Sequence, residues 1–424
     1  MDRPCLNSVC QAFSRLGLIL LFAITLEAAL MGSGRLLTVG PLTIKMLLYL
    51  MSLVFVLIEL MLGAGLSAET YYIVTSFTFV AALGSLIGVL NGASEDLLVS
   101  DLRVYAYVPA LCFFDLAIRS QRAVDLVSKV IRVAAVIMFS ACALIVLLVQ
   151  LGQVSVLDMM NLLAIGRSDD FMLSPEGIGL RVFYKGYVYL GIGLLFWAIR
   201  PGWRSKIFAT LAFILIVLSG TRGLIISVIA SLALLIALTY KRRILAKFLA
   251  LCLILFAFIL VPLFVSVLRG GEQISSSNED RILTINQVKD QITAGTLLWG
   301  HGFGIGVPES PEHMTITYLE IIHKNGLIGL TVWGSLIVLV LRRYVHLKRS
   351  PDRFETATPF ALGVLIVVVD TFTNPTLNNP IGLSIVFICF SVLGFLGAGE
   401  RYDRFNKGES GQMFKCCENG RSKA

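Results

Sequence analysis

Apolar residues occur along the chain in long, nearly unbroken runs that are separated by short polar segments. A helix needs about 20 mostly apolar residues to cross a bilayer, and runs of this length recur about twelve times. We therefore expect an all-α fold, a polytopic membrane protein with about twelve transmembrane helices in one integral membrane domain, residues 1–424. The predicted spans lie near residues 14–31, 42–62, 71–90, 102–118, 130–151, 181–199, 206–219, 223–240, 247–268, 326–345, 357–373 and 381–398.

Two connections are long, and both lie on the outer side of the membrane if there are about twelve spans. The first, residues 152–180, is partly apolar and is expected to lie on the membrane surface. The second, residues 269–325, is expected to contain one helix capped by Ser277 or Asn278 and another that begins near Thr315. Long connections within compact architectures are often functional, so we place the candidate active site in the second one.

Between these two helices, the stretch GHGFGIG (300–306) superficially resembles a nucleotide-binding loop. Such loops carry meaning after a strand and within a βαβ unit, and neither is predicted here. We interpret the glycines as a turn that lets the backbone approach another segment closely. The stretch therefore gives no reason to expect a nucleotide cofactor.

The composition and the distribution of charge favour a membrane protein. Apolar residues make up 57% of the chain and charged residues 15%, against roughly 25% charged residues in ordinary soluble domains. The net charge of +8 is concentrated on one side of the predicted bundle. This is the positive-inside pattern, so we expect both termini in the cytoplasm and no nucleic-acid partner. The basic clusters lie within residues 119–129, 200–206, 241–247, 342–353 and 401–423.

The first span has some features of a cleaved signal peptide. Arg15, a short apolar run and the small residues MGSG (31–34) fit that pattern loosely. Because so many spans follow, we expect the first helix to stay attached. Cleavage would leave the other spans in the same orientation, so the charge distribution fits both alternatives.

Several basic residues lie instead at the outer ends of spans, where few are expected. The clearest is Arg222 in LSGTRGL (218–224), where Ser219 or Thr221 can cap a helix that begins at about residue 223. A helix N-terminus favours anions, and a guanidinium offers paired donors for phosphate oxygens. We therefore expect an anion site here, the alternative being that each basic side chain simply reaches to the interface. The others are Arg35, Lys45, Arg181, Lys185, Arg269, Arg281 and Lys289.

An anion that sits at the outer leaflet, half in lipid, is most naturally a lipid-linked phosphate or pyrophosphate. Arg181 and Lys185 are four residues apart, so we expect both on one face of their helix as part of its binding site. Lys45 and Lys185 also lie deep in apolar sequence, where a charge is costly unless it has a role.

A departing pyrophosphate needs its charge neutralised, often by a metal ion. The outer segments show no DxD motif, and Asp169–Asp170 and Glu279–Asp280 are interpreted as solvated acids. The eight cysteines and four histidines show no zinc-binding spacing. Arginines can replace the metal, so we expect no metal and no other cofactor.

A base is needed if a hydroxyl group attacks the donor. His301 and His313 lie in the long outer segment, and a neutral imidazole suits proton abstraction near neutral pH. His313 is the preferred candidate, the alternative being an ordinary solvated residue. Asp370, with the asparagines that follow it, lines the same site or is a polar span end beside a turn.

These features, in this order, resemble the O-antigen polymerase and O-antigen ligase superfamily. LSGTRG is similar to the family's junction between two spans, and Arg281, the GHGFG turn and YLEIIHKNGLIGL (318–330) follow in the family's order. GPLTIKMLLY (40–49) is similar to the start of a second span in this group. The resemblance covers roughly residues 180–345, and the first half matches only in its pattern of spans.

The resemblance implies a glycosyltransferase of the bacterial inner membrane that takes a glycan from undecaprenyl pyrophosphate at the periplasmic face. Such enzymes work without a metal or a nucleotide-sugar. The resemblance implies that Arg222 and Arg281 bind the pyrophosphate and that His313 is the base. Arg181, Lys185, Lys45, Glu320 and Asp370 are the further candidates for substrate binding.

The chain departs from the family at one position. The family's histidine stands three residues before the tyrosine of YL, where this chain has Thr315, and His313 lies two residues upstream. Glu320, Glu312 and His301 therefore stay open as bases, and so does a reaction without a strong base.

Several functions stay open at this point. We favour a polymerase of O-antigen, capsule or exopolysaccharide repeat units over a ligase that transfers the glycan to lipid A–core. A lipid-linked glycan transporter or flippase is the second alternative, although it should carry more charge in mid-span. A structural membrane subunit is the third, and it leaves the outer basic residues unexplained. The expected partners are the lipid-linked glycan and membrane lipid, and the need for a chain-length regulator stays open.

Overall fold

The computed structural model describes residues 3–30, 38–39, 42–156, 158–159, 171–176, 179–239, 244–269, 271–347 and 351–407. Within these ranges the chain forms fifteen helices and two short β-hairpins, so the helical fold class is as expected. The helices are α1 Arg3–Leu30, α2 Ile44–Met61, α3 Ala68–Leu90, α4 Glu95–Ala106, α5 Ala110–Ala117, α6 Gln121–Gln150, α7 Tyr187–Ile199, α8 Trp203–Leu218, α9 Arg222–Thr239, α10 Ile244–Arg269, α11 Gly271–Gln291, α12 Ala294–Trp299, α13 Thr317–Leu347, α14 Pro351–Asp370 and α15 Pro380–Lys407. The strands are β1 Thr38–Val39, β2 Leu42–Thr43, β3 Phe171–Glu176 and β4 Gly179–Tyr184.

The described residues contain nine stretches of helix that are long and apolar enough to cross a membrane, so the chain is a multi-pass membrane protein. They lie in α1, α2, α3, the pair α4–α5, α6, α9, α10, α13 and α15. The three other predicted spans correspond to α7, α8 and α14. Many large apolar side chains on these helices are exposed on the surface of the bundle. Such exposure is unfavourable in water, whereas lipid tails would cover these side chains.

A β-hairpin occupies part of the first long connection and the start of the span predicted at 181–199. Strands β3 and β4 pair in antiparallel register, with Ser174 opposite Arg181. The prediction that Arg181 and Lys185 share a helical face is therefore wrong, because Arg181 lies in a strand and Lys185 in the turn before α7. The β-branched and aromatic residues of RVFY favour the strand over the helix. About half of the predicted surface segment at 152–180, including residues 160–170, lies outside the described residues.

The glycine turn of GHGFGIG passes between α3 and α13. Gly302 N donates to Lys324 O and Phe303 N donates to Gly84 O, each at 2.9 Å. Gly302 has a φ of 89°, and a Cβ atom there would lie 2.1 Å from the backbone nitrogen of Gly88. Only glycine permits this conformation and this contact. The expected close backbone approach is confirmed, and its partners are two helices of the chain itself.

A buried aromatic cluster holds the same elements together. The Tyr105 hydroxyl accepts hydrogen bonds from Asn325 Nδ2 (2.9 Å) and Trp333 Nε1 (3.2 Å). The Tyr105 ring lies 4.9 Å from that of Phe303, and Phe77 packs edge-on against Trp333 at 4.8 Å. Edge and offset ring contacts add to the burial of apolar area. The cluster therefore fixes α3, α4, α13 and the glycine turn as one unit.

Helix α11 begins seven residues before the expected cap, at Gly271 rather than near Asn278. The prediction of a cap at Ser277 or Asn278 is wrong, because both residues lie inside the helix. The Asn278 side chain accepts a hydrogen bond from Arg222 instead. The second predicted helix begins at Thr317, within two residues of the expected Thr315.

Gly88 in α3 and Gly334 in α13 provide a matched pair of substitutions that tests the close packing. A Cβ atom on Gly88 would lie 2.1 Å from the carbonyl oxygen of Phe303, whereas one on Gly334 would meet nothing within 4 Å. We expect Gly88→Ala to lower the free energy of unfolding by about 1–3 kcal/mol because backbone must move. Gly334→Ala should be neutral or stabilising by up to about 1 kcal/mol through helix propensity.

Thermal unfolding of both variants in detergent, followed by tryptophan fluorescence, measures the difference. Equal midpoints for Gly88→Ala and the wild-type chain would contradict the packing of the glycine turn against α3.

Candidate active site

A buried cluster of charges joins α4 to α13. The Lys324 ammonium donates to Asp101 Oδ1 and to Glu320 Oε1, each at 2.7 Å. The three side chains are at most 4% exposed. Glu320 and Lys324 are four residues apart in α13, so they share a face of that helix. Buried charges persist only with partners, and each charge here has an opposite one at contact distance.

Backbone groups complete the cluster. Gly304 N donates to Asp101 Oδ2 at 2.7 Å, and Lys324 donates its third hydrogen bond to the carbonyl of Glu312 at 2.8 Å. A lysine ammonium has three donors, and all three are used here. The cluster therefore holds both ends of the loop that runs from the glycine turn to α13.

His313 lies in that loop, at the exposed edge of the charge cluster. Its Nδ1 is 3.1 Å from Glu320 Oε1, and its Nε2 is 3.2 Å from the Ser100 hydroxyl. Both contacts are satisfied when Nδ1 donates to Glu320 and Nε2 accepts from Ser100. The hydrogen bond to Glu320 raises the pKa of His313 above its ordinary value, and partial burial opposes the rise. The side chain is 42% exposed, so the ring is accessible from the surface.

A carboxylate that holds one imidazole nitrogen leaves the other oriented to take a proton. Glu320 holds His313 in this way, and the Ser100 hydroxyl occupies the position from which a proton would reach Nε2. A substrate hydroxyl group placed there would meet an oriented base. The loop brings His313 to Glu320, although His313 stands two residues upstream of the position that the resemblance implies.

Arg222 and Arg281 attach to one turn of α11. Arg222 Nη2 donates to Asn278 Oδ1 at 2.9 Å, and Arg281 Nη2 donates to the carbonyl of Thr373 at 3.1 Å. Asn278 and Arg281 are three residues apart, so they lie on the same side of the helix. The structure therefore brings together the two arginines that were predicted to bind an anion.

The junction LSGTRG folds largely as predicted. Helix α9 begins at Arg222, and the Thr221 carbonyl accepts from Ile225 N, which places Thr221 at the N-cap position. A Cβ atom on Gly223 would lie 1.8 Å from the Thr373 hydroxyl oxygen and 2.8 Å from Asp370 Oδ1. Glycine is required here because the end of α14 packs directly against the start of α9.

The turn between α14 and α15, residues 371–379, connects the arginines to the charge cluster. Its carbonyl at Thr373 binds Arg281, and its Asn378 Nδ2 donates to Glu320 Oε2 at 3.3 Å. Asp370 shapes the turn, since Asn374 Nδ2 donates to its Oδ1 at 2.7 Å and a threonine hydroxyl donates to its other oxygen. Asp370 was predicted to bind substrate. In the structure both of its carboxylate oxygens accept hydrogen bonds from residues of this turn.

Helix α11 makes a second connection. Its Gln287 Oε1 accepts from Glu309 N at 3.0 Å, and its Val288 packs in a small apolar cluster with Val307 and Met314. The loop that carries His313 is therefore seated on the helix that carries Arg281. His313, Arg222 and Arg281 therefore belong to one assembly at the same end of the bundle.

Three predicted substrate-binding residues lie on other elements of the fold. Lys45, in the first turn of α2, lines a small cavity with Glu27, Tyr49 and Tyr107. Arg181 lies in β4, and Lys185 lies in the turn between β4 and α7.

Asp101, His313 and Glu320 form a group with the donor atoms and the spacing for a metal ion, their ligand atoms lying within 4.8 Å of one another. The Lys324 ammonium already lies 2.7 Å from both carboxylates. A metal ion would have to displace that cation and leave it buried without partners, which is costly. We therefore assign the cluster to an internal ion pair.

Three residues of this site, Lys324, Asp101 and Ser100, were not among the predicted ones. Glu320 and Lys324 stand four apart with opposite charge in a largely apolar helix, a local signal of an i,i+4 pair. Asp101 and Ser100 in α4 gave no such signal, because their partners lie more than 200 residues away. Asn378 was expected, together with Asp370, either to line the site or to belong to a polar turn.

No family model matches this chain, and no curated protein matches it significantly.

Lys324→Met tests the charge cluster. It leaves two carboxylates buried side by side without their cation, so we expect the free energy of unfolding to fall by about 3–5 kcal/mol. Adding Asp101→Asn to Lys324→Met should recover part of this loss, because only one buried carboxylate then remains without the ammonium. Lys289→Met, at an exposed position of α11, is the control and should be neutral.

The midpoint of thermal unfolding in detergent is measured for the wild-type chain and the three variants. If Lys324→Met unfolds at the wild-type temperature, or if the double variant is no more stable than the single one, the cluster does not stabilise the fold as we propose.

Proposed function

We propose that the chain is a glycosyltransferase of the bacterial inner membrane, related to the O-antigen polymerases and ligases, with about twelve spans and both termini in the cytoplasm. It joins oligosaccharide repeat units of O-antigen, capsule or exopolysaccharide that are carried on undecaprenyl pyrophosphate, at the periplasmic face. One observation carries the proposal: a carboxylate-oriented imidazole shares an assembly with two arginines. A base beside an anion site is what transfer from a pyrophosphate donor to a hydroxyl group needs.

In the proposed reaction, the acceptor hydroxyl takes the position of the Ser100 hydroxyl on His313 Nε2. Its oxygen attacks the anomeric carbon of the donor while Nε2 takes its proton. The bond between that carbon and the pyrophosphate oxygen breaks, and the pyrophosphate leaves with the electron pair. Glu320 stabilises the imidazolium that forms, because its carboxylate already accepts from Nδ1.

Arg222 and Arg281 would neutralise the leaving pyrophosphate. Their side chains bind within the protein to Asn278 and to the Thr373 carbonyl, and these bonds orient the planar groups. A guanidinium presents its donors in a planar fork that matches phosphate oxygens. The start of α9 adds the partial positive charge of a helix N-terminus at the same place.

Ligation to lipid A–core would use the same chemistry with a different acceptor. A lipid-linked glycan transporter is the second candidate, and the buried charges of Asp101, Glu320 and Lys324 favour it, because ion pairs within membrane helices often mark transport pathways. The oriented His313 has no evident role in that function, so we prefer the enzyme.

Complementation of a strain deleted for the gene tests the proposal. The wild-type chain should restore a ladder of surface glycan on a gel, and the deletion should show core with a single repeat unit. We expect His313→Ala to reduce polymer by about 100-fold or more through loss of the base. Arg222→Ala and Arg281→Ala should reduce it by a similar factor through loss of charge neutralisation.

Lys289→Ala, an exposed basic residue of α11, and His346→Ala, an exposed histidine of α13, are the controls at equal membrane levels. Bare core with long lipid-linked chains in the deletion strain would identify a ligase. Repeat units that accumulate on the cytoplasmic face would identify a transporter. Wild-type ladders from all three site variants would remove the basis of the proposed site.

The pH dependence of transfer tests His313 separately. The base is the neutral imidazole, so the rate should fall as the pH drops through the pKa of His313. Because the hydrogen bond to Glu320 raises the pKa of His313, the midpoint of this acid limb should lie above the ordinary value of 6.5. Glu320→Gln removes the carboxylate charge, so the midpoint should shift to lower pH along with a loss of rate.

Initial rates of the purified protein between pH 5 and 9 measure the midpoint. An acid limb that is the same in the wild-type chain and in Glu320→Gln would show that His313 is not the titrating base.

A further inference from the structure

A cleft of about 710 Å³ opens between α7, α8, α9 and α14, in a part of the bundle that the proposed reaction does not use. On α9 its lining begins at Leu232, ten residues after Arg222, which is about 15 Å along the helix. The cleft is therefore separate from the arginines and the base. Its volume lies in the range of small-molecule sites, roughly 300–1,000 Å³.

The cleft exists because two consecutive helices part from each other. Helices α8 and α9 are joined by the short turn 219–221, yet α8 packs mainly on α7 while α9 packs mainly on α10 and α14. The lining residues of α8 lie within 206–213 and those of α9 within 232–239, away from the turn. The cleft thus extends toward the end of the bundle opposite Arg222.

The lining changes from apolar to polar toward that end. The deeper part is formed by Leu194, Phe213, Leu232 and Leu235. The polar residues of the lining are Lys206, Thr210, Thr239 and Glu355, and Lys206, Thr239 and Glu355 lie near helix ends, beside Ile199 and Leu238. An apolar floor below a charged mouth matches a molecule with a hydrocarbon tail and a charged head.

Aromatic and basic side chains place the mouth at a membrane–water boundary. Trp203 is 69% exposed at the start of α8, and the Arg204 guanidinium lies 5.7 Å from its ring centre. Arg200 lies 5.7 Å from the ring centre of Trp197 in the same turn. Tryptophan and arginine gather at the headgroup level of membranes. A ligand of this cleft is thus expected to enter from the lipid leaflet on this side.

We propose that the cleft binds one membrane phospholipid with an aminoalkyl phosphate headgroup, of the phosphatidylethanolamine type. Lys206 at the mouth receives the phosphate, and Glu355 receives the primary ammonium. Lys206 donates one hydrogen bond to the Ala198 carbonyl and has two further donors. An acyl chain fills the apolar floor. Both charges of the mouth are matched by a headgroup that carries one charge of each sign.

Native mass spectrometry of the purified protein tests this, with phosphatidylethanolamine, phosphatidylcholine and phosphatidylglycerol of identical acyl chains as the titrants. We expect phosphatidylethanolamine to bind at least about threefold more tightly than either other lipid, since each lacks one of the two charge-assisted contacts. Thr210→Trp should abolish this selective binding by filling the cleft. Leu211→Trp is the matched control, because Leu211 is exposed on the neighbouring face of α8 and does not line the cleft.

Glu355→Gln provides an independent measurement. It should remove the roughly threefold preference for phosphatidylethanolamine over phosphatidylglycerol and leave binding through Lys206 intact. The proposal is overturned if phosphatidylglycerol or phosphatidylcholine binds as tightly to the wild-type chain, or if Thr210→Trp and Leu211→Trp bind lipid equally. Neither result bears on the glycosyltransferase, since none of these residues contacts the proposed active site.

Discussion

The buried ammonium of Lys324 is the cation on which this end of the helical bundle depends. It lies 2.7 Å from Asp101 and from Glu320, and it also binds the carbonyl of Glu312. Charges removed from water at this depth are strongly unfavourable unless each has its partner, so the three side chains specify one arrangement of α4, α13 and the loop between the glycine turn and α13. Glu320 accepts a hydrogen bond from Lys324 and in turn orients His313. The candidate base thus depends on an ion pair that is itself inaccessible to substrate.

The same packing brings functional side chains from distant parts of the chain to one end of the bundle. The glycine turn is held between α3 and α13 by backbone hydrogen bonds, which fixes where the following loop begins. Helix α11 and the turn 371–379 then connect that loop to Arg222 and Arg281. A side chain on a loop would be poorly positioned by itself, and here His313 contacts Ser100 of α4 and Glu320 of α13. This supports a preorganised site, in which the base and the charges are in place before substrate binds.

Sequence reasoning predicted the features that short-range patterns encode. The apolar runs predicted most helices, the serine-glycine-threonine step predicted the start of α9 at Arg222, and the glycines predicted the close backbone approach. It was wrong to place Arg181 and Lys185 on one face of a helix, because strand propensity and the pairing of β3 with β4 determine that segment. It did not find Asp101, whose partners lie more than 200 residues along the chain. Periodicity describes one helix at a time and contains no information about which distant helix supplies the opposite charge.

The most direct test of the proposed function is an assay of glycan transfer by the purified protein in proteoliposomes. A defined oligosaccharide on undecaprenyl pyrophosphate serves as both donor and acceptor, and a metal chelator is present. We expect lengthened lipid-linked chains, release of one undecaprenyl pyrophosphate for each bond formed, and loss of both products in His313→Ala. No transfer by folded wild-type protein, or the same product yield from His313→Ala, would contradict the proposed function.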